Sequence, residues 1–220
     1  MKAAPLQSSL LAVPHGFFTR DFQSADVAAF FGVERLVLLD QVHGAEVLTV
    51  SAPFEGRPKA DGMVTDIAGL ALCLVTADCA PMLFLDPVAR VCGAAHAGWR
   101  GAKGGIVEHV VVAMEALGAQ RNRLRAAIGP CIGPSSYEVQ EDFRESFDAS
   151  AHVFFRPAQA SGYLLFDLPA FLMAQCKGFA AVEWSGADTY QDGARFFSYR
   201  RGCKQGIKET GRMISGILLR

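Results

Sequence analysis

Residues 73–101, CLVTADCAPMLFLDPVARVCGAAHAGWRG, hold the densest run of chemistry in a chain of 220 residues, and their apolar pattern sets the fold. Two uninterrupted apolar runs, 70–75 and 82–85, have the length and side-chain content of strands buried on both faces. A third strand is expected over 90–95. Thr76-Ala77-Asp78-Cys79 closes the first run and His96-Ala97-Gly98-Trp99-Arg100-Gly101 closes the third, so a thiol and an imidazole each stand at a strand end. They meet in space if those strands are neighbours. The small residues Ala77, Ala80, Ala94, Ala95, Ala97 and Gly98 let backbone or ligand approach closely.

Outward from this stretch, His15-Gly16-Phe17-Phe18-Thr19-Arg20 reads as a turn running into a short strand, followed by a brief helix over 21–31 capped by Ser24 or Asp26 and ended by Gly32. A strand over 35–42 ends in Gln41-Val42-His43-Gly44, and 45–50 reads as its returning hairpin partner. Downstream, Ile106, Val110, Ala113, Met114 and Leu117 share one face of a helix predicted over 103–117, with Gly118 after it. Strands are expected at 124–128, 163–166, 181–184 and 214–219, and a helix over 168–177 with Asp167 as its cap. Hairpins mixed with strand–helix units, and no linker or repeat, give an α+β fold with mixed sheets and a single domain over residues 1–220.

Hydrophobic residues make up 51% of the chain and charged residues 20%, enough apolar content for a sizeable core. A net charge of -1 gives no reason to expect a nucleic-acid partner. No apolar run reaches the roughly 18 residues that span a bilayer, and the N-terminal apolar run is too broken for a signal peptide. The chain is therefore expected to be cytoplasmic, without a membrane partner, and monomeric. Its six cysteines are scattered without a C-x-x-C pair and read mostly as small buried hydrophobes.

His43, Cys79 and His96 are the ligand-competent side chains flanked by glycine or alanine at strand ends. His109 and His152 read as surface or structural, and His15 is less clear. Three ligands of the N,S,N type suit an open, catalytic zinc better than a closed structural one. A metal-free reading uses the same residues: Cys79 as nucleophile, His96 as base, and Asp78 or Asp61 orienting the imidazole. Arg20, Arg100, Arg200 and Arg201 near tight turns or aromatic residues make a phosphate or carboxylate partner plausible. Asp78, Asp61 and Glu138 are candidate general acids.

The ordered set HGFFTR (15–20), QVHG (41–44), ADGMVT (60–65), TADCAPMLF (76–84), HAGWRG (96–101), IGPCIG (128–133), YEV (137–139), FFSYRR (196–201) and a later Gly211-Arg212 resembles the YfiH-like laccase-domain family. The resemblance implies zinc held by His43, Cys79 and His96, with those residues and Arg100 catalytic, and Arg20, Asp78 and Arg200 binding substrate. It implies a purine nucleoside phosphorylase that takes adenosine, inosine or methylthioadenosine with phosphate to base and ribose 1-phosphate, together with adenosine deaminase activity. The fold implied is a mixed β-sandwich flanked by helices, similar to the cytotoxic necrotizing factor catalytic domain. A cysteine hydrolase or amidase, in peptidoglycan precursor editing, is the alternative attached to the same family. The older description as a multicopper polyphenol oxidase fits less well, because five histidines cannot supply a full multicopper set. The chain departs from the family pattern at Asp21-Phe22-Gln23-Ser24 and at Asp188-Thr189, two places expected to line the substrate pocket.

Overall fold

The computed structural model describes residues 2–207 and 211–220. In chain order the elements are β1 (His15–Phe17), α1 (Ser24–Phe31), β2 (Val47–Thr49), β3 (Gly62–Thr65), β4 (Ala71–Thr76), β5 (Ala80–Asp86) and β6 (Val91–Ala97). They continue with α2 (Trp99–Lys103), α3 (Ile106–Ala116), β7 (Arg125–Ile128), β8 (Glu138–Gln140), α4 (Glu141–Glu145), β9 (Phe155–Pro157) and β10 (Tyr163–Phe166). The last are α5 (Leu168–Gln175), β11 (Ala181–Trp184), α6 (Tyr199–Gln205) and β12 (Met213–Leu218).

The apolar run on β5 explains the layering. Successive side chains alternate between faces, and on β5 every residue is buried. Met82 and Phe84 pack with Ile106, Val107, Val110, Val111 and Met114 of α3. Leu83 and Leu85 pack the other way, against Leu72 and Leu74 of β4 and Ile217 of β12. β5 therefore sits in the middle of a mixed six-stranded sheet, ordered β11-β7-β5-β6-β3-β2, covered by helix on one face and by the small sheet β1-β12-β4 on the other. A third sheet, β8-β10-β9, joins the helical side through Phe143, Phe147, Phe155, Phe166 and Phe171. The result is a mixture of helices and several sheets, in line with the α+β fold with mixed sheets that was expected.

Three expectations need correction. No hairpin forms over 35–50: residues 35–42 make only isolated bridges, at Val37 with Leu72 and Asp40 with Lys59, while β2 pairs in parallel with β3. The amides that a hairpin would spend on a partner strand go elsewhere. The Gln41 side chain bonds both the N–H and the C=O of Val75, and the Asp61 carboxylate takes the N–H groups of Val42, His43 and Gly44. The helix expected over 103–117 begins only at Ile106 as α3, because Gly105 sits at φ 83°, outside the helical region, and Lys103 instead ends the separate short helix α2. At α1 the cap is Gln23, whose N–H donates to Asp26 at 2.7 Å, and Gly32 ends the helix at φ 70° as expected.

A candidate metal centre in an arginine-lined cavity

The turn between β4 and β5 crosses from the small sheet to the large one, and Cys79 lies on it, just before β5. The crossing is tight: Asp78 adopts φ 90°, a region that L residues seldom enter. β5 and β6 run antiparallel with Ala80 opposite Ala97 and Pro81 opposite His96, which carries Cys79 to Gly98 and the neighbourhood of the His96 ring. The two strands are neighbours, as the meeting of thiol and imidazole requires. His96 lies within β6 rather than in the loop after it.

His43 arrives from the other side, on the loop that replaces the hairpin, also with positive φ (60°). One carboxylate holds both histidines. Asp61, fully buried, accepts from the His43 N–H at 3.0 Å, from Gly44 at 2.6 Å and from Val42 at 3.2 Å. Its Oδ1 also accepts from His96 Nδ1 at 2.7 Å, which leaves His96 Nε2 for a ligand. Burial pushes the Asp61 carboxyl up, but the His96 ring and the loop amides outweigh it and hold the group below the usual carboxylate range.

The ligand atoms of His43, Cys79 and His96 all lie within 4.8 Å of one another, with Cys79 Sγ 3.9 Å from His43 Nδ1. Zinc–sulfur and zinc–nitrogen bonds of about 2.3 and 2.0–2.1 Å in a tetrahedral site set sulfur and nitrogen about 3.6 Å apart. The cluster fits such an ion with a small contraction. The space between the ligands is kept open by sequence: a Cβ on Gly98 would lie 2.9 Å from Cys79 Sγ and 3.2 Å from His43 Nδ1. Gly101 has a related task, since a Cβ there would come within 2.6 Å of the Gly44 carbonyl on the His43 loop. Burial raises the Cys79 thiol, yet the two histidines draw it down to about 7. Burial opposes a charge on His96, but Asp61 and Cys79 raise it to about 9. The thiol is thus ready to give up its proton, as a metal ligand or nucleophile must. No other such trio of ligand side chains comes together among the described residues.

The cluster opens into a cavity of about 680 Å³. Asp78, Arg100 and Arg200 all line it. Asp78, however, is already satisfied: Oδ1 accepts from the Thr189 hydroxyl at 2.6 Å and Oδ2 from the Arg200 N–H at 2.7 Å. Arg100 lies over the Trp99 ring at 4.4 Å. Arg200 donates to the Glu138 carbonyl and lies 5.4 Å from the Tyr137 ring centre. Arg20 is not among the lining residues; it donates to the Gly193 carbonyl at 2.7 Å and lies over Phe197. Glu138 stands outside as well, with its carboxylate 3.4 Å from Lys204.

The segments at 21–24 and 188–189 do not line the cavity either. Asp188 accepts from Ser136 at 2.6 Å, and Thr189 from behind the wall secures Asp78. His15 is buried, bridging the Ser8 N–H and the Val13 carbonyl, while His109 and His152 bond the Ala45 and Phe147 carbonyls. Sequence reasoning gave no role to Arg57, Gln41, Tyr137 or Arg212, all of which line the cavity. Gln41, Tyr137 and Arg212 stood in recognisable motifs. Arg57 lies in a Pro/Gly loop with no periodicity to mark it.

Comparison with known proteins adds a separate line of evidence. The sequence model of the family described as multi-copper polyphenol oxidoreductase laccase matches residues 21–220. A purine nucleoside phosphorylase of Deinococcus radiodurans is 36% identical, covering 94% of this chain and 90% of its own length. Purine nucleoside phosphorylase YfiH of Escherichia coli is 35% identical, covering 83% and 73%. The crystal structure of the hypothetical protein YfiH of Bacillus licheniformis superposes with a TM-score of 0.80 at 26% identity, over 94% of this chain and 93% of that one.

Proposed function

The chain belongs to the YfiH-like laccase-domain family, and on that premise we propose that it is a zinc-dependent purine nucleoside phosphorylase. It takes adenosine, inosine or methylthioadenosine with phosphate and releases the base and ribose 1-phosphate, working in the cytoplasm as a monomer. The observation that carries this reading is a His43–Cys79–His96 cluster in the wall of an arginine-lined cavity, in a chain whose relatives are named purine nucleoside phosphorylases.

His43, Cys79 and His96 would hold the zinc, which would supply Lewis acidity to the cavity when bound. Arg100 and Arg200 hold phosphate through charge-assisted hydrogen bonds. A phosphate oxygen attacks C1′ as the N-glycosidic bond breaks, and the bond's electron pair leaves with the purine, which takes up a proton. Tyr137 faces the cavity, and burial raises its phenol above the ordinary range, so it stays protonated and donates a hydrogen bond to the nucleoside. Asp78 acts through Arg200 and Thr189 rather than by touching substrate. The same cavity serves adenosine deamination, in which the oxygen of water replaces the 6-amino group. That activity would not use the H-x-E and P-C-x-x-C arrangement of zinc nucleobase deaminases, which this sequence lacks.

One observation favours a second reading. Asp61, His96 and Cys79 form a carboxylate–imidazole–thiol series with the thiol at about 7, the arrangement of a cysteine hydrolase or amidase. Purified protein given inosine or adenosine, with and without phosphate, decides between them, with zinc and copper measured on the same sample. Phosphate-dependent release of base and ribose 1-phosphate from zinc-bearing protein is expected; base release that ignores phosphate, or no release at full metal, overturns phosphorolysis. Arg100→Ala should raise the phosphate KM about ten- to a hundredfold with zinc content unchanged. Lost zinc, or an unchanged phosphate dependence, would mean that Arg100 braces the turn that follows His96 at the end of β6 instead.

A further inference from the structure

Of the three residues in the cluster, His43 has the least support from its own backbone. Cys79 and His96 adjoin or belong to the paired strands β5 and β6, and His96 is buried. His43 is exposed, on a loop that belongs to no strand, at φ 60°. A residue with a Cβ keeps such a backbone only where its surroundings fix it. Asp61 fixes the donor side of the loop, through the N–H groups of Val42, His43 and Gly44. The carbonyls that leave the loop need partners as well. That of Glu46 accepts from the N–H groups of Asp61 and Gly62 at 3.1 and 3.0 Å. That of Ala45 meets no backbone N–H among the described residues; it accepts instead from His109 Nδ1 on α3, at 2.7 Å.

A carbonyl oxygen only accepts, so Nδ1 of His109 carries the proton, in the neutral ring and in the imidazolium alike. The ring comes from a fixed support. Ile106, Val107, Val110 and Val111, before and after His109 on α3, are buried against the large sheet. We propose that His109 is a positioning residue for the metal centre. Through the Ala45 carbonyl it ties the His43 loop to α3, and so holds the His43 ring where one ion can be shared with Cys79 and His96. His109 touches none of the three ligand side chains; it acts two residues along the chain from His43. Asp61 and His109 divide the work by hydrogen-bond type, the carboxylate taking the loop's N–H groups and the imidazole supplying a donor to its carbonyl. The inference rests on the zinc reading of the cluster and adds a residue that this reading does not name.

Two variants test it. His109→Leu removes the donor and keeps a good helix former at an exposed position, so α3 stays folded. His109→Asn restores a donor, because the amide nitrogen stands on Cγ as Nδ1 does. Zinc affinity is read by competition against a chelator, and amide hydrogen exchange at 42–44 is followed in the metal-free proteins. His109→Leu should bind zinc about three- to tenfold more weakly, the effect of one net hydrogen bond, and its loop amides should exchange faster by a similar factor. His109→Asn should recover most of both losses. A merely structural role would lower the stability of α3 without following the donor. Equal zinc affinity in wild type and His109→Leu overturns the role of His109 and leaves the zinc reading standing, and so does a His109→Asn variant as weak as His109→Leu. Wild-type protein that takes up no zinc sinks the zinc reading itself, and the role of His109 with it.

Discussion

Asp61 does more for the centre than any ligand does alone. Its carboxylate collects four donors, three from the His43 loop and one from His96, and so fixes the backbone of one histidine and the ring of the other. Replacing one oxygen by an amide, as in Asp61→Asn, turns an acceptor into a donor facing N–H groups. Outer-shell changes of this kind cost about 10–100-fold in metal affinity, and a competition titration against a chelator should read that loss. Unchanged affinity would show that the loop holds His43 without help. Asp61 and Asp78 were equal candidates for orienting His96 on sequence alone, because both precede or sit in a small-residue turn. Only the register of β3 against β6, with Gly62 opposite Ala95, places the first behind the imidazole and leaves the second at α6.

The elements show where sequence patterns suffice and where they stop. Apolar runs at β4, β5 and β6 were readable because they are buried on both faces, so nothing interrupts them. The hairpin over 35–50 was not, since its fate depends on side chains from elsewhere: Gln41 reaching Val75 and Asp61 reaching the loop. The periodicity of α3 continues smoothly back through Lys103 in sequence, and only the positive φ of Gly105 divides it from α2. The packing of α2 against the His43 loop gives a test at this scale. Gly101→Ala puts a methyl where the Gly44 carbonyl lies, so the loop must shift. Zinc retention should fall while the far-ultraviolet circular dichroism stays native; full zinc in this variant would refute the close approach. A second test concerns the end of β5, away from the centre. Asp86 is buried and accepts from Val88, Ala89, Gln120 and the Arg123 guanidinium. Burial raises its pKa, but the Ala89 and Gln120 amides and Arg123 outweigh that and lower it. A depressed folded pKa stabilises above the unfolded value of about 4 and is lost as pH falls through the folded one. Asp86→Asn should cost about 1.5–3 kcal/mol at neutral pH in urea unfolding, and the gap should close toward pH 2. A gap that is constant with pH would mean that the charge plays no part.

Over the whole molecule the site is a product of two sheets packed face to face and joined by one turn. The turn from β4 to β5 passes from the small sheet to the large one and carries Cys79 with it. The strand pair β5–β6 supplies His96, and the irregular loop beside β3 supplies His43. The three residues of the cluster were legible because each stands in a short motif of small residues whose chemistry is conspicuous. The cavity's cations were legible only in part: Arg100 and Arg200 adjoin aromatic residues in motifs, whereas Arg57 reaches the opening from a loop that nothing in the sequence ties to it. The central claim is that one metal, held by His43, Cys79 and His96, is needed for phosphate-dependent cleavage of purine nucleosides. The most direct measurement is base release from inosine by protein stripped of metal and then titrated with zinc. Activity should vanish on stripping and return in proportion to zinc, saturating at about one ion per chain, and Cys79→Ser should neither bind the ion nor recover. Full activity in the stripped protein, or an acyl adduct trapped on Cys79 during turnover, would contradict the account and establish the thiol as a nucleophile.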